Sequence, residues 1–178
     1  PEGEYLGEGV VTKVLGDSGE PDVETAAVIE AHNLPGEFPE ACNEEARDLS
    51  QRFNDRIEAH IDGSDPFDPA ERSDIRDLFI CTIDPPDAKD YDDAISIERL
   101  DKIAGGGKGW RLGIHIADVS HFVTPGTALD DEAKDRANSV HLPRLVIRML
   151  PESLSIGICS QTEGDPRSCR SAVIAYAD

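Results

Sequence analysis

Between Thr82 and Asp93 the chain reads TIDPPDAKDYDD, so five aspartates, Asp84, Asp87, Asp90, Asp92 and Asp93, fall within ten positions with only Lys89 to offset them. Carboxylates held about 4 Å apart at an effective dielectric near 20 repel by roughly 4 kcal/mol per pair. Any fold that fixes this stretch must neutralise it or leave it in water. Pro85-Pro86 forbids a helix here and stiffens the bend. The segments on either side, LFICTID and AISIERL (94–100), are short, alternating and rich in β-branched residues, which predicts two strands. The carboxylates are therefore expected on an irregular loop at a sheet end, a place where rigid strands commonly carry sites.

On the residues alone, two readings of that loop stay open. One is a solvated acidic loop in an acidic chain. The other is a hard-cation site, since oxygen ligands with no nearby His or Cys favour Mg²⁺, Mn²⁺ or Ca²⁺ over zinc. A calcium-binding EF-hand frame begun at Asp84 fails, because its sixth and twelfth positions hold Lys89 and Ile95 instead of Gly and Glu. Mg²⁺ or Mn²⁺ chemistry fits better: two-metal phosphodiester hydrolysis uses such carboxylates to hold cations about 4 Å apart.

The rest of the chain supplies a frame. Its 178 residues suffice for one ordinary domain, or part of one with a small module. Val10, Thr12 and Val14 alternate, predicting a strand over 7–17, and VETAAVIEAHNLPG (23–36) predicts a short helix closed by Pro35-Gly36. Ala46, Leu49, Phe53 and Ile57 form one narrow apolar stripe, so a helix is expected from Pro39 to Gly63. SDPFDPAERSD (64–74) reads as a linker and a domain boundary. A third strand is expected in GWRLGIHIADV (109–119), joined to the second by DKIAGGGKG. GGGKG is no phosphate loop, because Gly109 replaces the Ser/Thr after the lysine and a strand follows. Leu129, Ala133 and Ala137 recur at helical spacing, predicting a helix over 127–140. RSAVIAYAD is strand-like with no closing turn, so the fold is expected to be cut there. His115 and His121 read as structural, and Asp118 as a hydrogen-bonding carboxylate.

Charge is uneven along the chain. Of the net −20, residues 1–75 carry −15, and the five clustered aspartates alone match the −5 of the remainder. RANSVHLPRLVIRML (136–150) holds Arg136, Arg144 and Arg148 and no acid. The global charge opposes non-specific nucleic-acid binding, which depends on Lys/Arg neutralising phosphates, but the local pattern permits binding. No apolar run approaches a membrane span and PEGEYLGEG lacks the features of a signal peptide, so a soluble, cytoplasmic protein is expected. Cys42, Cys81, Cys159 and Cys169 include no CxxC pair and read as reduced thiols.

DLFICTIDPPDAKDYDDAISIERL, LGIHIADVSHFVTPGTALDDEAKDRANSVHLP and MLPESLSIGICS, taken in that order, resemble the catalytic domain of the ribonuclease II and ribonuclease R family of processive 3′ to 5′ exoribonucleases. The preceding VVTKVLGD and AVIEAHNLPGEFPEA resemble the tail of that family's cold-shock-type barrel. The resemblance implies a mixed α/β (α+β) fold: the end of a cold-shock-like OB barrel over 1–41, a helical linker over 42–75, and the N-terminal part of an RNB-type catalytic domain over 76–178. It places the family's metal-binding quartet on Asp84, Asp90, Asp92 and Asp93, with Mg²⁺ as cofactor, Mn²⁺ as a substitute, and Asp92 as the residue whose loss most impairs chemistry. Asp87 belongs to the motif with no assigned role. His141 stands where the family usually stacks a tyrosine on the 3′-terminal base, and imidazole can also stack. Arg148 departs from the common IPMLP. With Arg144 it is expected to contact RNA phosphate.

The implied function is hydrolysis of single-stranded RNA from its 3′ end, releasing nucleoside 5′-monophosphates, with neither DNA nor membrane as partner. The family's later arginine and glutamate fall beyond this sequence, so the 178-residue chain alone is expected to be inactive. An alternative is a non-catalytic metal- and RNA-binding module derived from the same family. A loop stabilised by Ca²⁺ would leave HIADVSHFV and MLPESLS unexplained.

Overall fold

The computed structural model of the chain describes residues 9–68 and 71–178. In chain order its elements are α1 (Pro21–Ala31), α2 (Glu40–Asp62), β1 (Ile80–Cys81), β2 (Asp93–Leu100), β3 (Gly109–Ala117) and α3 (Val119–Phe122). There follow α4 (Ala128–Arg136), β4 (Val140–Leu142), β5 (Leu145–Ile147), a single π-helical turn at Ser153–Ile158, and β6 (Cys169–Ala177). Two compact units result, one of residues up to Glu37 with His141–Ile147, the other of Phe38–Val140 with Arg148–Asp178.

In the smaller unit, α1 starts at Pro21, whose missing N–H is not needed at the first helical position. It ends before the expected Pro35-Gly36 stop because Asn33 turns to φ 49° and the Leu34 amide donates to the Ile29 carbonyl at 2.9 Å. The strand expected over 7–17 does not form in residues 9–16, and residues 7 and 8 lie outside those described. Val10, Val11 and Val14 are 88%, 82% and 83% exposed, so their alternation has no sheet to face. His141–Ile147 supplies most of a β4/β5 hairpin that periodicity did not reveal.

The larger unit is built on α2. Its stripe is buried at Cys42, Ala46 and Phe53 while the charged remainder faces water, and Gly63 closes it at φ 78°, a left-handed value that favours glycine. Leu129 and Ala133 of α4, Leu154 and Ile158 of the π-turn, and Phe122 complete the core. Phe53 and Phe122 meet edge to face at 5.2 Å, an arrangement worth about 1 kcal/mol beyond the area buried. Thr127 caps α4 by accepting from the Asp130 amide, and Ala137, at φ 64°, ends it before the expected 140.

The four-stranded sheet runs β1-β2-β3-β6, with every pairing antiparallel. Gly105, Gly106 and Gly107, all with φ near 90°, make the β2–β3 turn in GGGKG. Only Ile80 and Cys81 of LFICTID pair, opposite Ser96 and Ile95, before the chain leaves for the proline bend. Strand registers sort the two faces. Ala94, His115 and Ser171 share one; Ile95, Ile97, Leu112, Ile114, Ile116 and Ile174 share the other. On the first face His115 is buried, with Nε2 2.9 Å from Ser96 Oγ and Nδ1 2.7 Å from Ser171 Oγ, tying β2, β3 and β6 together. Gly113 makes the room: a Cβ there would lie 2.4 Å from Ser96 Oγ and 2.7 Å from His115 Nε2. The second face is largely uncovered, and beyond Cys169 every residue of β6 is exposed. All four cysteines are free, and no helix among the described residues is long and apolar enough to cross a membrane.

Candidate functional site

The aspartate loop spans the gap between β1 and β2, and its backbone is held by the residues that follow the π-turn. Ser160, fully buried, accepts at Oγ from the Tyr91 amide at 3.0 Å and donates to the Lys89 carbonyl at 3.1 Å. The Gln161 amide donates to the Tyr91 carbonyl at 2.9 Å. Gln161 Nε2 in turn donates to the carbonyls of Asp92 and His115 at 3.0 and 2.9 Å, while the Ala117 amide donates to the Asp92 carbonyl at 2.9 Å. Arg167 Nε closes the chain on the Ser160 carbonyl at 3.0 Å. An irregular loop leaves its backbone groups without ladder partners, and each needs one when buried. ICSQ provides them. MLPESLSIGICS is legible as a block in the sequence, but its task is not, because side chain to backbone bonds across some 70 positions leave no periodic trace.

On this latched backbone Asp84, Asp90 and Asp93 lie near enough to Asp92 for their charges to bear on it. Asp84 and Asp90 are half-buried; Asp87, Asp92 and Asp93 are exposed as residues. Although Asp92 is exposed as a residue, its carboxyl is raised above the usual carboxylate range, first by partial desolvation and then by the charges of Asp90, Asp93 and Asp84. Asp84 Oδ2 is buried without a hydrogen-bond partner, an arrangement costly for a charged oxygen. Among the described residues no three His, Cys, Asp or Glu side chains are gathered closely enough to hold a metal ion. The arrangement is therefore open. Its donors still suit a hard cation: carboxylate oxygens only, one of them orphaned, around a central group whose protonation its three neighbours promote.

Arg148 joins this group. Its Nη1 lies 3.8 Å from Asp90 Oδ2 and its Nε donates to Glu152 Oε1 at 3.3 Å, with the side chain only 14% exposed. His141 and Arg144 belong to the other unit, where both are exposed and Arg144 Nη1 donates to Asp22 Oδ1 at 3.0 Å. Both arginines thus have acidic partners, although their own stretch of sequence contains no acid; Asp22 is 122 residues from Arg144.

The remaining candidates are structural. Asp118 is buried and accepts from Arg72 Nη2 at 2.8 Å, Arg170 Nε at 3.1 Å and Ser120 Oγ at 3.2 Å. Burial alone would raise its carboxyl, but these donors outweigh it and hold the carboxyl below its usual range. Burial lowers His115, which stays a neutral clamp. Cys159, behind the loop, is pushed up to about 12 by burial and by the charge of Asp92, so its thiol is no nucleophile. His121 stacks edge-on against Phe122 at 5.1 Å.

Residues 72–177 match the RNB domain family, and residues 1–39 match the cold shock domain. Over 162 residues the chain is 46% identical to Ribonuclease R of Thermotoga maritima, covering 90% of this chain and 21% of that protein. Over 161 residues it is 42% identical to Ribonuclease R of Vibrio parahaemolyticus, covering 90% of this chain and 17% of that one. Its structure resembles that of Mycoplasma genitalium RNase R in complex with ribose methylated single-stranded RNA, with a TM-score of 0.71 and 30% identity over 93% of this chain and 23% of the other. The chain spans about a fifth of the length of each of these three proteins.

Proposed function

The chain belongs to the RNB domain family, and from that premise we propose that it forms the aspartate-bearing part of a 3′ to 5′ exoribonuclease. The substrate is single-stranded RNA, the products are nucleoside 5′-monophosphates, and the cofactor is Mg²⁺, with Mn²⁺ as a substitute. The observation that supports this reading is the buried, unpartnered Oδ2 of Asp84 in a loop where the charges of Asp84, Asp90 and Asp93 bear on Asp92. These four residues would hold the cation, and Ser160 and Gln161 keep their backbone in place. When bound, Mg²⁺ supplies a Lewis acid for the scissile phosphate and lowers the pKa of an attacking water. Asp92 would orient the attacking water.

His141, exposed at the hairpin, offers a ring for stacking on a terminal base, and Arg144 and Arg148 offer guanidinium groups to phosphate. A cytoplasmic location is proposed together with this function. The relatives extend well beyond the segment that this chain matches.

A chimera tests the proposal. The matching segment of the Thermotoga maritima relative is replaced by this chain, and release of nucleoside 5′-monophosphate from a uniformly labelled oligoribonucleotide is followed with Mg²⁺. Stepwise release that Asp92→Asn abolishes, with RNA affinity retained, supports the proposal. RNA and metal binding without release, in a chimera that folds, favours the non-catalytic binding module instead.

A further inference from the structure

Among the described residues, Arg148 is the cation that pairs with the aspartate loop, and Arg136 of α4 and Glu152 hold it there. Arg136 Nη1 donates to the Arg148 carbonyl at 3.2 Å; Arg136 is itself bonded to Glu132 at 2.8 Å and lies over the Phe38 ring at 3.7 Å. Glu152, four residues on and just before the π-turn, holds Arg148 Nε, while Nη1 lies 3.8 Å from Asp90, a carboxylate only 37% exposed. A guanidinium with its backbone anchored, its Nε engaged and its head largely out of water has little freedom to leave.

Resting on the metal reading above, we propose that Arg148 is a positioning residue that acts as a built-in counter-cation. It neutralises Asp90, holds the aspartate loop in place when no divalent ion is bound, and sets the affinity of the loop for that ion by competing for the same carboxylate. Two effects follow from its charge. Without metal, Arg148 relieves repulsion between Asp90 and its neighbours and so stabilises the fold. With metal, the positive head opposes the incoming cation, so the loop binds Mg²⁺ or Mn²⁺ more weakly than its carboxylates alone would. A proline at this position, as in IPMLP, provides neither effect.

The test compares the wild-type 178-residue chain with three variants, Arg148→Gln, Asp90→Asn and the double substitution, with Arg148→Lys as the conservative control. In EDTA, Arg148→Gln lowers the melting temperature by several degrees when Asp90 is present and has little effect in the Asp90→Asn background. In a calorimetric Mn²⁺ titration, Arg148→Gln binds on the order of tenfold more tightly than wild type, and Arg148→Lys stays near wild type. Additive effects in EDTA overturn the pairing. Equal or weaker Mn²⁺ binding by Arg148→Gln overturns the competition. If no variant binds Mn²⁺, the metal reading of the loop fails and the EDTA cycle alone decides the role of Arg148.

Discussion

The side-chain amide of Gln161 donates to the backbone oxygen of Asp92 at 3.0 Å, so the loop's central carboxylate is positioned through its main chain by a residue 69 positions away. The same amide reaches the His115 carbonyl, which makes Gln161 the rivet between the loop, β3 and the end of the π-turn. Gln161→Leu keeps the volume and removes both bonds. It is expected to cost about 2 kcal/mol, two neutral hydrogen bonds at about 1 kcal/mol each. Urea unfolding monitored by circular dichroism measures this, and a loss below about 0.5 kcal/mol would mean that water replaces the amide.

Millimolar Mg²⁺ or Mn²⁺ is expected to raise the melting temperature, and EDTA to reverse the rise. A cation that binds only the native loop stabilises it by ligand linkage, about 2.7 kcal/mol at a hundred times Kd. Asp84→Asn removes the charge beside the orphaned oxygen and is expected to shrink the shift. A melting temperature indifferent to both ions would return the loop to the solvated reading.

Asp118 makes stability depend on acid. Its folded pKa lies below the unfolded value near 3.9, so its contribution is fully present above that value and is lost as pH falls through the lowered folded one. Asp118→Asn is expected to cost about 2 kcal/mol at pH 7, since it leaves the Arg72 and Arg170 guanidiniums without their shared carboxylate; both keep some access to water, which limits the penalty. The difference between the variant and wild type narrows below pH 4. Denaturant titrations at pH 7 and pH 3 report it, and an unchanged gap would remove Asp118 from the acid response.

Gly113→Ala is expected to destabilise the chain by about 1–3 kcal/mol, because the added methyl enters the space between Ser96 and His115. Pairing it with Ser96→Ala relieves the closest contact and recovers part of the loss. Full stability of the single variant would show that the His115 clamp yields at little cost.

Legibility from sequence followed the range of the interaction. Ala46, Phe53 and the polar residues between them drew α2 to within a residue of its ends, because a helix face is written in local spacing. The alternation of Ile95, Ile97, Ile114 and Ile116 announced β2 and β3 in the same way. Val10, Thr12 and Val14 show the same alternation without a strand, since a strand is completed by a neighbour and the pattern names none. The aspartates marked the candidate site by density alone. What steadies them was illegible: Ser160, Gln161 and the Arg148–Asp90 pair come from segments far apart in the chain, and Arg144, in an acid-free stretch, meets Asp22.

Strand β6 pairs with β3 along one edge and, among the described residues, with nothing along the other. Backbone amides in an antiparallel strand point alternately to either side, so every second amide from Cys169 to Ala177 faces β3 and its neighbours face outward. Hydrogen exchange should therefore read this strand as a two-beat signal, slow and fast in turn, as long as that edge stays bare. Any polypeptide that adds itself there would turn the alternation into an unbroken run of slow amides, registering its arrival residue by residue without needing a label of its own.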